Sequence, residues 1–344
     1  MNLNPRCDAF TELGCSLRKN AAAFERGEET ELCHLILSQQ YKNQWFTPCN
    51  VLAAISAIAD ELTADNLKKW MSMYPGIEKN TTQFTAGVIM AGNIPLVGFH
   101  DFLCVLITGN RLLAKKSSKD PDLINGISEI LCSIEPDFRK MINFSDGPLS
   151  GFDAIIATGS NNTSRYFESY FGKYPNIIRK NRNSVAIISG NETDDELKAL
   201  GGDIFSYYGL GCRNVSKLFI PEGYDPRDLI RHWDSYSYVT ENAKYCNNYD
   251  YYKAIYLVNR EPFLDTGYLL IKEDPMTASP VAVTFYSYYK SYDVLLQEIK
   301  TIENSIQCIV SKKHLPFGQA QKPALWDYSD GIDTIEFLLK KVHF

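Results

Sequence analysis

The chain has 344 residues, enough for about two domains, and 45% of its residues are hydrophobic while 22% are charged, a composition typical of folded proteins. Its formal net charge of -6 at pH 7 argues against general nucleic-acid binding through a basic surface. No apolar run has the length of a membrane span and no signal peptide is visible, so we expect a cytoplasmic protein.

The first 75 residues predict mostly helices. The segments "NVLAAISAIADEL" and "ADNLKKWMSMY" carry apolar residues at three- and four-residue spacing, which is the helical period. Pro75-Gly76 then marks a stop.

From residue 84 onward, predicted strands and helices alternate. "FTAGVIMAGNIP", "RLLAKKSSKD" and "FDAIIATGS" read as strands, and apolar helical segments separate them. A second alternating block follows, with "NSVAIISGN", "VSKLFIP" and "SPVAVTFYSYY" as strands. The tyrosine-rich stretch "YCNNYDYYKAIY" is expected to be a surface loop or a contact between lobes. This pattern predicts an α/β protein with two Rossmann-like parallel-sheet lobes and an N-terminal helical segment.

Ligands of open parallel sheets bind at the carboxyl ends of strands, and three predicted strand ends are chemically suitable. Ala91-Gly92-Asn93 follows the first strand. The loop 115–119 offers ammonium and hydroxyl groups, and the segment 158–162 places a glycine and hydroxyls before a helix, which suits a phosphate. Neither G-x-G-x-x-G nor G-x-x-x-x-G-K-[ST] is present, so no standard nucleotide-binding fingerprint adds support.

Cys212 differs from the other cysteines in its neighbours. The nine cysteines have irregular spacing and form no C-x-x-C pair, which argues against a disulfide framework or a zinc site and fits a reducing compartment. Cys212 follows Gly209-Leu210-Gly211, and Arg213 and Lys217 come soon after it. Glycines let another molecule approach the backbone, and nearby cations favour the thiolate. A buried inert cysteine is the alternative.

Taken in order, these segments resemble the aldehyde dehydrogenase superfamily. "GNIP" is similar to its N-x-P motif, "GNRLLAKKSS" to A-G-N-x-x-x-x-K-P-S, "ATGS" to T-G-S, and "GLGC" to G-Q-x-C. "PFGQAQ" is similar to its P-F-G segment. "GGDIFSYYGLGCRNVSKLFIP" resembles in particular the acyl-CoA reductase branch, the LuxC-type enzymes that make fatty aldehyde for bacterial luminescence.

The resemblance implies NADPH-dependent reduction of a long-chain acyl-CoA to the aldehyde through a thioacyl intermediate on Cys212. It makes the Asn93 side chain and the Cys212 backbone N–H the oxyanion hole. It assigns the nicotinamide cofactor to Ala91, Lys115, Ser117, Ser118, Thr158, Gly159 and Ser160. It also implies a cofactor domain with the N-terminal helices at 1–183, a catalytic domain at 184–315, and a segment 316–344 that returns to the cofactor domain.

Two departures from the family pattern refine these expectations. Oxidising members carry E-L-G-G about thirty residues before the cysteine, whereas residues 177–190 contain no acid here. Hydrolysis of a thioacyl group needs a base for water, and exchange with a thiol such as coenzyme A does not. Where NAD-preferring members carry an acid, this chain has Ser118 between Lys116 and Lys119. Serine and ammonium groups accept a 2′-phosphate, which favours NADPH.

Several alternatives remain open from the sequence. The chain could be an acylating aldehyde dehydrogenase or an acyl-phosphate reductase with another substrate, or a non-catalytic relative. A cysteine hydrolase would pair Cys212 with one of His34, His100, His232, His314 and His343. No metal is expected, and a homo-oligomer or an acyl-loading partner is compatible with every one of these enzymes.

Overall fold

The computed structural model describes residues 1–79 and 83–340, which form two compact units. The first contains Met1–Lys180 and Ala324–Phe344, and the second contains Asn181–Pro323. The predicted boundaries at 183/184 and 315/316 therefore lie near these divisions, but the chain returns to the first unit later than the sequence indicated.

The N-terminal segment is helical, as predicted. Three of its helices begin at threonines whose hydroxyls accept a backbone N–H three residues later, namely Thr30, Thr47 and Thr63. Such caps satisfy N–H groups that the first turn of a helix leaves without partners. The four helices are α1 (Leu3–Glu25), α2 (Glu31–Lys42), α3 (Pro48–Glu61) and α4 (Ala64–Ser72).

The first unit is built around a five-stranded sheet that is parallel throughout. Its strands are β1 (Thr85–Ile89), β2 (Arg111–Lys115), β3 (Ile142–Ser145), β4 (Ala154–Thr158) and β5 (Asn176–Arg179), in the order β3-β2-β1-β4-β5. The helices of this unit that follow β1, β2 and β4 are α5 (Phe99–Ile107), α6 (Leu123–Ile134) and α7 (Asn161–Phe171). Because β1 lies between β2 and β4, the strand order reverses there, and a ligand site is expected at that point.

The second unit contains a six-stranded sheet in the order β11-β6-β7-β10-β9-β8. Its strands are β6 (Asn183–Ile187), β7 (Val215–Pro221), β8 (Leu264–Asp265), β9 (Leu270–Glu273), β10 (Val283–Tyr289) and β11 (Ile306–Val310). Its helices are α8 (Asp194–Phe205), α9 (Arg227–Ile230), α10 (Ala243–Asn259) and α11 (Tyr292–Ile302). Only the edge pair β8–β9 is antiparallel among the strands that the structure describes, so the predicted fold class is confirmed.

The tyrosine-rich stretch belongs to α10, and its prediction as a loop is wrong. Asn242 caps this helix by accepting the N–H groups of Lys244 and Tyr245. Tyr245 and Tyr249 are buried and lie four residues apart on one helical face. These two rings and the buried Tyr256 are therefore core residues, whereas Tyr251 on the same helix is exposed.

The C-terminal segment is held in the first unit by buried polar contacts. Trp70 Nε1 donates to the Tyr328 hydroxyl at 2.7 Å, and the Tyr74 hydroxyl donates to Asp333 at 2.7 Å. Beside helix α12 (Thr334–Leu339), the guanidinium of Arg179 donates to Asp101 and, at 2.9 Å, to the Thr334 hydroxyl. Arg179 and Asp101 are 4% and 6% exposed, so their charges compensate each other out of water.

Arg179→Met should strongly destabilise the protein, because it leaves the Asp101 carboxylate buried without its cation. The expected loss is about 3–5 kcal/mol of unfolding free energy, seen as a lower midpoint in urea denaturation. Arg139→Met is the control, since it breaks an exposed pair with Glu129 and should cost about 1 kcal/mol or less. Equal losses in the two variants would contradict the structural role of the buried pair.

Candidate active site

The three loops that the sequence singled out in the first unit follow three neighbouring strands. Strands β2, β1 and β4 are adjacent and parallel, so their carboxyl ends share one edge of the sheet. Residues 91–93 follow β1, residues 116–119 follow β2, and residues 159–162 follow β4. The sheet therefore brings all three loops to one edge.

The loop after β1 packs directly against the loop after β2. Ala91 and Asn93 are half-buried, whereas Gly92 is buried. A side chain at Gly92 would place its Cβ 2.6 Å from Ser117 Cβ, which is too close for any other residue without a shift. Glycine at this position therefore permits the contact that holds the two loops together.

Asp120 joins the same two loops, and the sequence reading missed it. Its Oδ2 accepts the backbone N–H of Leu96 at 2.9 Å, which supports a left-handed backbone at Leu96 (φ 57°). Burial raises the pKa of Asp120 to about 6. The N-terminal helices also contribute, because the Asn43 amide donates to the Lys119 carbonyl at 3.1 Å. The sequence gives no signal that an aspartate after a lysine-rich loop accepts a backbone N–H from the loop after β1.

A large cavity adjoins the loop after β2. Its volume is about 550 Å³, and side chains of β3, α6 and the residues between them line it together with Lys116. The Lys116 ammonium lies 5.4 Å from the centre of the Phe144 ring. Lys115, Lys116 and Ser117 are half-buried, whereas Ser118 and Lys119 are exposed. This arrangement offers an aromatic face and the Lys116 cation beside a space of ligand size, which the acidic residues Glu129 and Asp146 also line.

The loop after β4 ends at Ser160, which caps the start of helix α7. Ser160 accepts the backbone N–H of Thr163 at 3.2 Å, so its hydroxyl is already used by its own helix. Gly159 donates its N–H to the Arg179 carbonyl at 3.2 Å, and a Cβ there would lie 2.9 Å from Phe167. Thr158 is the last residue of β4 and is half-buried.

Cys212 lies in the second unit, in a turn that leads into β7. The turn closes where the Asn214 N–H donates to the Gly211 carbonyl at 3.0 Å. The Asn214 side chain accepts the Gly211 N–H at 2.8 Å, and the Ser184 hydroxyl donates to the Cys212 carbonyl at 3.0 Å. Cys212 itself is half-buried. Asn214 and Ser184 were not identified from the sequence as functional residues, although asparagine is a common turn residue.

The P-F-G segment packs beside this turn. Asp203 accepts the backbone N–H groups of Gly318 at 2.7 Å and Ala320 at 2.9 Å. Arg213, the neighbour of Cys212, donates to the Ala320 carbonyl. Burial raises the pKa of Asp203 to about 6. These contacts belong to the second unit, whereas the sequence reading began the segment that returns to the cofactor domain at residue 316.

Lys217, which follows Cys212 in the sequence, has hydrogen-bond partners on other strands and loops of the second unit. The Lys217 ammonium donates to the Asp274 carbonyl and to the Ser287 hydroxyl. Ser287 pairs with Phe219. Phe219 comes two residues after Lys217 in β7 and is therefore further from Cys212 along the strand. Burial lowers the pKa of Lys217 from 10.5 to about 8, since an ammonium is poorly solvated inside the sheet.

The described histidines have contacts that do not involve Cys212. His100 donates through Nε2 to the Leu325 carbonyl at 2.8 Å, and its Nδ1 lies 3.7 Å from the Cys104 sulfur. His314 contacts the Ser311 hydroxyl at 2.8 Å, and His232 lies 3.9 Å from an Asp194 oxygen. Residue 34 is exposed on α2, and His343 lies outside the described residues. These contacts give no support to a cysteine hydrolase.

Within residues 1–79 and 83–340 there is no group of three or more histidine, cysteine or acidic side chains placed to hold a metal ion. No helix in the same ranges combines the length and apolarity that crossing a membrane would need.

Several solved structures with similar folds are aldehyde dehydrogenases. The KauB aldehyde dehydrogenase of Pseudomonas aeruginosa superposes with a TM-score of 0.64 at 14% identity, over 90% of this chain and 72% of that one. An enzyme from Physcomitrella patens, determined with its product succinate, gives 0.63 at 13% identity over 91% and 74%. The Bacillus cereus enzyme in complex with NAD⁺ gives 0.61 at 12% identity over 90% and 72%. The chain therefore has the aldehyde dehydrogenase fold.

Among curated proteins, the chain is similar to the long-chain acyl-protein thioester reductase of Photorhabdus laumondii subsp. laumondii. The two are 24% identical over 191 residues, which cover 50% of this chain and 39% of that relative. The match thus spans about two-fifths of the relative's length. No family model matches the chain. The resemblance noted in the sequence is confirmed by this relative together with the fold.

Lys217→Met should change the pH dependence of stability. The folded protein loses the Lys217 proton above about pH 8, whereas the unfolded chain keeps it to about pH 10.5. Where the unfolded state binds more protons, stability rises with pH. The wild type should therefore gain stability relative to the variant between these pH values, by at most roughly 3 kcal/mol.

Urea denaturation of both proteins at pH 7, 8, 9 and 10 gives this difference directly. Lys290→Met removes an exposed lysine and should leave the difference from wild type independent of pH. A flat profile for Lys217→Met as well would contradict the buried ammonium.

Proposed function

We propose that this chain is an NADPH-dependent reductase that converts an acyl thioester, a long-chain acyl-CoA, to the aldehyde through a thioacyl intermediate on Cys212. The observation that carries the proposal is the Cys212 turn. In a chain with the aldehyde dehydrogenase fold, a half-buried cysteine stands in a turn whose neighbouring peptide groups are fixed by Asn214 and Ser184. A fixed, partly accessible thiol is the setting that a nucleophile needs.

The residues of the first unit fit a nicotinamide cofactor. The cavity of about 550 Å³ beside Lys116 and Phe144 is large enough for an adenosine moiety. Lys115 and Ser117 would hold the adenosine ribose from the loop after β2, with Ala91 and the segment 158–160 along the same sheet edge. Such a cofactor supplies a hydride when bound. In this proposal, Met1–Lys180 with Ala324–Phe344 is the cofactor domain and Asn181–Pro323 the catalytic domain.

The chemistry of the chain begins with the Cys212 thiolate, which attacks the thioester carbonyl. The family resemblance assigns the Asn93 amide and the Cys212 N–H to the resulting oxyanion, and the loss of one such donor typically costs about 100- to 1000-fold in rate. Expulsion of coenzyme A as its thiolate leaves the acyl group on the Cys212 sulfur. Hydride addition to that carbonyl and cleavage of the C–S bond then release the aldehyde and regenerate the Cys212 thiolate.

The absence of a carboxylate from residues 177–190 supports reduction or thiol exchange over hydrolysis. In the structure this stretch includes most of β5 and the buried strand β6, and it holds no acid that could activate water. The thioacyl group would then persist until the hydride arrives. Fatty acid release by water should therefore be slow.

The acyl donor has a second candidate. The Photorhabdus relative is named a long-chain acyl-protein thioester reductase, which supports a long acyl chain and makes an acyl-protein an alternative to acyl-CoA. An acylating aldehyde dehydrogenase or an acyl-phosphate reductase would use the same cysteine chemistry with a different leaving group. Aldehyde formation from acyl-CoA, acyl-protein and acyl phosphate, compared at equal concentration, distinguishes these donors.

Cys212→Ala should abolish NADPH-dependent aldehyde formation while the protein stays folded, because no thioacyl bond can form. Incubation with radiolabelled acyl-CoA, without cofactor, should label the wild type and leave the variant unlabelled. Cys246→Ala is the matched control, since it removes another half-buried cysteine of the same unit and should label normally. Equal labelling of wild type and Cys212→Ala would refute the assignment.

Ser118→Glu should shift cofactor preference from NADPH toward NADH. A carboxylate would repel the 2′-phosphate and accept hydrogen bonds from ribose hydroxyls. Two charges about 4 Å apart repel by roughly 1 kcal/mol in water and about 4 kcal/mol at an intermediate dielectric, so the preference should change between about five-fold and several hundred-fold. The measurement is the ratio of kcat/KM for the two cofactors.

Ser133→Glu serves as the control for added charge, because Ser133 is exposed on α6 and lies outside the loop. It should leave the ratio unchanged. A wild type that already prefers NADH would show that Lys116, Ser118 and Lys119 do not bind a 2′-phosphate. An unmoved ratio in Ser118→Glu would place the cofactor elsewhere.

A further inference from the structure

We infer that Asn214 and Ser184 are positioning residues that fix both peptide groups flanking Cys212 and thereby aim its backbone N–H. The inference rests on the proposed function, in which that N–H stabilises the oxyanion. Neither residue reacts or touches substrate in this scheme. Each acts through the geometry of the Cys212 turn.

Asn214 holds the peptide group before Cys212. Its backbone N–H donates to the Gly211 carbonyl at 3.0 Å, and its side-chain oxygen accepts the Gly211 N–H at 2.8 Å. Asn214 is only 3% exposed, so these bonds are shielded from competing water. The peptide planes on both sides of Gly211 are thus fixed by one residue.

The same side chain spans a backbone segment that would not hold its shape alone. Tyr207, Tyr208 and Gly209 are consecutive left-handed residues, with φ of 51°, 59° and 75°. This conformation is disfavoured for residues that carry a Cβ, so surrounding contacts must maintain it. Asn214 Nδ2 donates to the Ser206 carbonyl at 2.8 Å, directly before the run, while Oδ1 binds Gly211 after it.

Ser184 holds the peptide group after Cys212. Its hydroxyl donates to the Cys212 carbonyl at 3.0 Å and accepts the Cys308 N–H at 3.2 Å. Ser184 is fully buried at the start of β6, so its position is set by the sheet. With both flanking peptide planes fixed, the φ and ψ angles of Cys212 have little freedom.

The direction of the Cys212 N–H follows from peptide geometry. In a trans peptide the C=O and N–H groups point in opposite directions, and no cis peptide occurs in the described chain. The Gly211 carbonyl points into the turn toward the Asn214 N–H. The N–H of Cys212, which belongs to the same peptide, therefore points away from the interior of the turn, the direction that the proposed contact with the oxyanion requires.

The test compares Asn214→Ala and Ser184→Ala with Ser216→Ala as the matched control. Ser216 lies two residues beyond Asn214, and its hydroxyl donates to the Thr277 carbonyl at 2.7 Å, away from Cys212. Single-turnover acylation by radiolabelled acyl-CoA should slow about 10- to 100-fold in the first two variants, because a small misplacement of the donor is enough for such a loss. The KM for NADPH should stay unchanged in all three variants.

Hydrogen exchange at residues 209–213 supplies a readout that does not depend on the reaction. Exchange of these amides should accelerate at least about ten-fold in Asn214→Ala and stay at the wild-type rate in Ser216→Ala. Thermal unfolding of each variant shows whether it folds. If Asn214→Ala does not fold, the acylation rate of Ser184→Ala decides the inference. Wild-type acylation rates in both Asn214→Ala and Ser184→Ala would overturn it.

Failure of the proposed function looks different. If acyl-CoA does not label wild-type Cys212, the proposed reaction is wrong, whatever the variants do. Hydrogen exchange of the amides of residues 209–213 then tests the positioning role by itself. An unchanged exchange rate in Asn214→Ala would overturn that role.

Discussion

Parallel pairing around β1 is the constraint on which the first unit depends. With β2 on one side and β4 on the other, the carboxyl ends of three strands meet at one edge, and each strand continues into a loop that carries polar groups. The close contact of Gly92 with Ser117 and the bond from Leu96 to Asp120 hold two of these loops in register. A shift of β1 along its neighbours would separate the groups proposed to bind one cofactor.

In the second unit, buried polar side chains have the corresponding role. Asp203, Asn214 and Ser184 are almost fully buried. Each forms hydrogen bonds with backbone N–H or C=O groups of the loops around it. Buried polar groups of this kind are costly unless they are hydrogen-bonded. Here their bonds determine where Cys212 stands and where the segment around Gly318 packs.

The proposed chemistry and the fold place different demands on the same chain. The Asp101–Arg179 pair and the contacts of Tyr328 keep the C-terminal segment in the first unit and take no part in the reaction. The left-handed run Tyr207–Gly209 precedes Cys212, and strained backbone of this kind clusters at functional sites. The run ends at Gly209, and Leu210 and Gly211 connect it to Cys212.

The sequence by itself determined the α/β class, the N-terminal helices and the candidate loops. Apolar periodicity and turn residues act locally, and the order of the motifs marked Cys212 and Asn93 as candidates. Only the tertiary structure decided the roles of Asp120, Asp203, Ser184 and Asn214, because their partners lie on other elements or are backbone groups without a sequence signal. It also showed that the Lys217 ammonium binds the Asp274 carbonyl and the Ser287 hydroxyl, and that Tyr245, Tyr249 and Tyr256 of α10 are core residues. Sequence proximity could not reveal either outcome, since the direction of a side chain depends on which neighbours the sheet and helices supply.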